Sequence, residues 1–193
     1  DRMYIRKTLN GNTICTIGLN HTTEVSELCI LPLNTALLPN FERMLSINPY
    51  MKDPSGLKTK RVIMRSGIDA WYEKLDAWYE QYIAKGQIIP LVYDWPLTSK
   101  LISNMLGGKD ALDYFFTSDY VRDIKPVAQY LTDLTEWSDI NRLPFSKTTL
   151  KHICNNCDCE LPFDSTPLDK AKAITISYRK MVSVNTQGLR LTL

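Results

Sequence analysis

Two copies of one pentapeptide, Asp69-Ala70-Trp71-Tyr72-Glu73 and Asp76-Ala77-Trp78-Tyr79-Glu80, stand seven residues apart. Seven residues are nearly two helical turns, so each side chain of the first copy returns to the same side in the second. At about 100° per residue, Ile68, Trp71, Tyr72, Leu75, Trp78, Tyr79, Tyr82 and Ile83 share an arc of roughly 140°. Asp69, Glu73, Lys74, Asp76, Glu80 and Gln81 lie outside that arc. The pattern predicts an amphipathic helix at about 66–85 with an aromatic face. Ser66 with Asp69 three residues on gives a capping pattern, and Gly86 after Lys85 gives a stop.

The flanks read differently. Residues 4–9 and 12–17 surround Asn10-Gly11, whose tolerance of positive φ suits a two-residue hairpin turn. Glu27 to Leu31 is a short apolar run stopped by Pro32, a third strand. Asp53-Pro54-Ser55-Gly56 reads as a turn. Lys58 to Arg65 alternates charged and apolar residues and reads as a strand leading into the aromatic helix. Gln87 to Tyr93 is β-branched and apolar, a buried strand. After it come three helical patterns. Thr98 or Ser99 caps one over Leu101, Ile102 and Met105 that Gly107-Gly108 ends; Asp110 caps another through Phe115. Asp123 opens the third, with Pro126 in its first turn and Val127, Tyr130, Leu131, Leu134 and Trp137 at helical spacing. Ser146 caps a short helix through Ile153. Thr166-Pro167-Leu168-Asp169 starts a helix to about Ala173, and Ile174 to Tyr178 and Met181 to Val184 then read as strands.

The expected fold is therefore α+β: β-rich N- and C-terminal segments around a central helical block. A main domain at 1–145 is followed by a smaller segment at 146–193. No apolar run reaches the ~20 residues that cross a bilayer, so no membrane is expected as a partner. The chain opens on Asp1 and closes on a strand-like run, which suits a segment or cleaved product of a longer polypeptide.

Net charge is only +2, but it is unevenly distributed. Residues 1–65 hold nine Lys and Arg against five acids, 66–145 hold seven against twelve, and 146–193 hold seven against four. Basic ends around an acidic middle suit either an anionic partner or attachment of the ends to the middle. Lys58, Lys60, Arg61 and Arg65 are the candidate nucleic-acid-binding residues. Gly107-Gly108-Lys109-Asp110 lacks phosphate-loop spacing.

Five cysteines, three of them clustered, do not form a disulfide framework and point to an intracellular, reducing compartment. Asn20-His21-Thr22, a glycosylation triplet, leans the other way. His152, Cys154, Cys157 and Cys159 are the candidate metal ligands, because Cys-x-x-Cys converges two thiolates on one tetrahedral ion. Structural zinc is the cofactor they imply, its fourth ligand being either remote, Cys15, Cys29 or His21, or His152 where the backbone bends sharply. Uncoordinated cysteines are the commoner reading of such a cluster, and a Cys154–Cys157 redox pair is a lesser one.

Trp71, Tyr72, Trp78, Tyr79 and Tyr82 are the candidate partner-binding residues, weighed against the usual fate of such a stripe as core. Neither histidine lies in a nucleophile motif. Asp110, Asp113, Asp119, Asp123, Asp133, Glu136 and Asp139 supply the carboxylates of a metal-enzyme alternative, although acids at helix starts and on exposed faces are the default. The expected function is a non-catalytic binding or assembly module, a subunit or excised domain of a larger protein or nucleoprotein, with a protein partner or homo-oligomer. The alternatives are a zinc-supported nucleic-acid-binding domain and a carboxylate-dependent metal enzyme.

Overall fold

A computed structural model describes residues 12–21, 25–33, 45–47, 60–83, 86–132 and 148–191. They build a mixed sheet in the order β3-β2-β1-β4-β5. The strands are β1 (Thr13–His21), β2 (Val25–Pro32), β3 (Leu45–Ile47), β4 (Ile88–Val92) and the two-residue β5 (Arg122–Asp123). β1 runs antiparallel to β2 and parallel to β4; β2–β3 is antiparallel and β4–β5 parallel. The helices are α1 (Lys60–Tyr82), α2 (Trp95–Leu106), α3 (Lys109–Phe115), α4 (Ile124–Thr132), α5 (Leu150–Asn156) and α6 (Pro167–Leu191). The α+β class stands.

Alternate residues of a strand face opposite sides, and here both sides are apolar. Cys15, Ile17, Leu28, Ile30, Ile88 and Val92 pack under α1, α2 and α3 through Trp71, Leu75, Trp78, Ile102, Leu112 and Phe115. Their sequence neighbours Ile14, Ile89 and Leu91 pack under α4, α5 and α6 with Ile124, Ala128, Leu131, Ile153, Ile174 and Met181. Cys29 and Leu31 meet Ala171 of α6. β1, β2 and β4 are therefore each covered on both faces, which explains the unbroken apolar run of β4.

Several sequence expectations are corrected. The strand expected over Lys58–Arg65 is helix from Lys60 onward, so Ser66 lies inside α1 and does not cap it. The helix also stops at Tyr82, short of Lys85. Residues 4–9, expected to pair with 12–17, lie outside the described residues; over Cys15 and Thr16 one edge of β1 is taken by β2 and the other by β4. Asn10-Gly11 itself lies outside the described residues, as does Lys58. α2 begins at Trp95 with Asp94 as its cap, upstream of Thr98 and Ser99, and Gly107 ends it in the left-handed conformation as expected. Gly108, not Asp110, precedes α3. Thr149 caps α5 by accepting from the His152 amide; Ser146 lies outside the described residues.

The largest correction is C-terminal. Residues 174–178 and 181–184, expected as strands, are consecutive turns of α6. The start at Thr166-Pro167 holds: Thr166 Oγ1 accepts from the Asp169 amide at 3.2 Å while Asp169 Oδ2 accepts from the Thr166 amide at 3.0 Å, a reciprocal cap. Burial then repeats at Ala171, Ile174, Thr175 and Met181, a helical spacing. Contact with the sheet outweighs the β-propensity of Ile174-Thr175-Ile176, which amounts to under about 1 kcal/mol per residue. Thr175 donates to the Ala171 carbonyl (2.9 Å), leaving its oxygen to receive the Thr16 hydroxyl at 2.7 Å. Gly18 makes the close approach possible, because a Cβ there would lie 2.0 Å from the Pro167 oxygen.

Candidate functional site

In an open sheet clad on both faces, the usual ligand crevice lies outside the carboxyl ends of parallel strands, where the chain leaves two neighbours in opposite directions. β1 and β4 meet that description, since β1 leads to β2 on one side and β4 to β5 on the other. Their carboxyl ends carry Asn20 and Tyr93-Asp94, and β5 ends on Asp123 beside them.

Asp94 holds positive φ (62°), a costly conformation for a residue with a side chain. Three sets of bonds hold it. Its Oδ1 accepts from the Leu97 amide at 3.2 Å, capping α2. Its Oδ2 accepts from Lys125 Nζ at 2.7 Å. Asp123 accepts from the amides of Asp94 (2.9 Å), Trp95 (2.7 Å) and Lys125 (3.0 Å). Lys125 also lies 5.6 Å from the centre of the Tyr93 ring, whose hydroxyl donates to the Thr148 carbonyl at 2.7 Å. One knot thus ties β4, β5, α2, α4 and the start of α5.

The Lys125 ammonium beside Asp94 holds its carboxyl below the usual carboxylate range, and Asp94 in return raises Lys125. Burial raises Tyr93. On the other side of the edge, Asn20 Nδ2 donates to the Ser165 carbonyl (3.1 Å) and Lys170 Nζ to the Leu19 carbonyl (3.3 Å). These bonds fix the loop before α6 against the end of β1. Leu97, in the first turn of α2, and Phe163, two residues before Ser165, are both exposed, Phe163 completely.

The expected site residues divide into three groups. Trp71 and Trp78 of the aromatic stripe are buried in the chain's own core, at 2% and 6% exposure. Tyr79 and Tyr82 are half-buried; Tyr79 packs on Phe115 and Tyr114 and donates to the Gly86 carbonyl, and Tyr82 lies against Trp78. Tyr72 is the most open, its ring edge-on to Phe115. The stripe therefore meets the sheet and α3.

The second group surrounds the end of α5. Cys154 and Cys157 are buried and Cys159 half-buried. Cys157 Sγ donates to the Ser177 carbonyl, and Ser177 Oγ donates to Cys154 Sγ, both at 3.8 Å. Burial pushes the Cys154 thiol up to about 12 and the Cys157 thiol up to about 11, so both hold their protons at neutral pH. His152 lies half-buried on α5. Among the described residues no three His, Cys, Asp or Glu side chains are gathered as a metal ion needs. Cys15 and Cys29, two of the remote ligands considered, are buried on opposite faces of the sheet. Burial raises both thiols, that of Cys29 to about 12.

The third group is the basic stretch: Lys60, Arg61 and Arg65 fall in the first turns of α1. Of the acids considered, Asp110 and Asp113 are exposed on α3, Asp119 is exposed after it, and Asp123 is engaged as described. Asp133, Glu136 and Asp139 lie outside the described residues.

The Asp94–Asp123–Lys125 knot was not legible as a unit. Asp94-Trp95-Pro96 was visible as the end of a strand, but its partner 29 residues on carries no local signal. Compared with protein-family models, curated proteins and solved structures, the chain matches none.

Proposed function

We propose that this chain acts by binding, as a non-catalytic module of a larger protein or nucleoprotein assembly, and that it presents the carboxyl edge of β1, β4 and β5 to its partner. The observation that carries this reading is Phe163, fully exposed on a loop that Asn20 pins to that edge two residues further on, at Ser165. An aromatic ring held in water on a fixed loop costs hydrophobic free energy that a partner's surface recovers. The acids at the ends of β4 and β5 and at the start of α6 favour a scaffold over acid–base chemistry: Asp94, Asp123 and Asp169 each accept from backbone amides, and Lys125 compensates Asp94.

The test places a photocrosslinking amino acid at 163, and separately at 130, in the chain inside its native cell. Tyr130 is a suitable control, being an exposed aromatic towards the far end of α4. The expected result is one discrete adduct from 163 and none from 130. No adduct at 163, or equal adducts at both, overturns the proposal.

A further inference from the structure

The end of α5 brings two cysteines together in a way their spacing alone does not reveal. The Cys159 amide donates to the Cys154 carbonyl at 2.9 Å, and the Asp158 amide to the Asn155 carbonyl at 3.4 Å. Asp158 between them has φ 55°, the left-handed conformation. A six-to-one bond enclosing a five-to-two bond, with a left-handed residue after the cap, is a Schellman motif. Its geometry regularly sets the side chain two places past the cap against the one three places before the end, usually as an apolar contact. Here those positions are Cys159 and Cys154, so the motif sets one thiol-bearing side chain against the other.

We propose that Cys154 and Cys159 form a reversible disulfide, a modification site in which Cys159 is the entry thiol and Cys154 the resolving one. Cys159 is the more accessible of the two and faces the loop leading to α6; its thiol donates at 3.8 Å to the Glu160 carbonyl. Cys154 is closed in behind it. Cys157, although it completes the Cys-x-x-Cys pattern, is turned towards the Ser177 carbonyl of α6 and stands outside the pair.

The oxidant is a small-molecule disulfide such as glutathione disulfide. The Cys159 sulfur gives up its proton and attacks one sulfur of the reagent, making a mixed disulfide and releasing one glutathione thiolate, which is protonated. The Cys154 sulfur then attacks that of Cys159, the mixed disulfide breaks, and the second glutathione leaves with the Cys154 proton. Two protein thiols are oxidised to one disulfide, and one glutathione disulfide is reduced to two thiols.

The experiment equilibrates the folded full chain with glutathione redox buffers, blocks free thiols by alkylation and maps the digest by mass spectrometry, with circular dichroism confirming that each variant is folded. In the wild type and in Cys157→Ala, the expected oxidised product loses two hydrogens and two alkylation sites, and the fragments on either side of Asp158 stay joined. Cys159→Ala and Cys154→Ala are expected to lose the bridge. Persistence of a bridge in Cys159→Ala, which would place it between Cys154 and Cys157, overturns the proposal. So does a wild-type chain that stays folded yet forms no bridge in fully oxidised buffer.

Discussion

Gly18 is the residue with the least room to change. A Cβ would lie 2.0 Å from the Pro167 oxygen, 2.8 Å from the Ala171 nitrogen and 3.0 Å from the Pro167 carbon, all backbone of α6. Backbone cannot rotate aside as a side chain does, so Gly18→Ala must separate the helix from β1. The expected cost is about 1–3 kcal/mol or more, read as a lower urea midpoint. At Asp94 and Lys125 the effect is pH-dependent. Asp94 is held below its usual range, so its contribution is complete above the unfolded value of about 3.9 and is lost as pH falls through the folded one. Lys125 is raised, so its share is complete below about 10.4 and is lost as pH rises through its folded value. Lys125→Met is therefore expected to lower stability by about 1 kcal/mol or less across neutral pH, and to flatten the wild-type losses at both extremes. Urea midpoints measured against pH for both proteins check this. Gly18 was unremarkable in the sequence, because the crowding comes from a helix that begins 149 residues later.

Among the elements, α1 separates its own residues by burial. Trp71 is 2% exposed under the sheet, whereas Tyr72 is 38% exposed. Trp71→Ala is expected to cost about 3–5 kcal/mol. Tyr72→Ala is expected to cost about 1 kcal/mol, chiefly its edge contact with Phe115. Chemical denaturation of the two variants checks the difference. This helix was legible because its apolar arc repeats over two heptads, and β4 because seven residues of β-branched and apolar character end in Asp-Trp-Pro. α6 was not legible beyond its cap. Ile174, Thr175 and Ile176 favour strand locally, and what makes the stretch helical is the face that Ile174 and Thr175 offer to Ile14, Thr16 and Leu91, which no window of neighbouring residues contains. The alternation in 58–65 misled for the converse reason: a short stretch of alternating polarity fits the first turns of a helix as well as a strand. The cysteine spacing was visible, but the pairing of Cys154 with Cys159 depends on Asp158 adopting φ 55°, and Asp is only a secondary choice for that conformation.

For the molecule as a whole, stability should be greatest where the sheet is covered on both faces. Ile88, Ile89, Leu91 and Val92 of β4 and Cys15 of β1 have no measurable exposure, and β1 and β4 each have a strand on either side. Amide hydrogen exchange is expected to be slowest in β4 and in Ile14–Ile17, approaching the global unfolding limit, and faster in β5 and the loop before α6. Fast exchange in β4 would contradict the sheet order. The partner of β1 at Ile88 is 75 residues away from Thr13, and the hydroxyl that meets Thr16 is 159 residues away. During synthesis β1 can find β2 early, but it must wait for β4 and longest for α6. A ribosome halted before residue 167 would hold a nascent chain with one side of that strand bare to water. α6, translated long after β1, is what seals it, so a frameshift upstream of α6 would injure a strand made well before it.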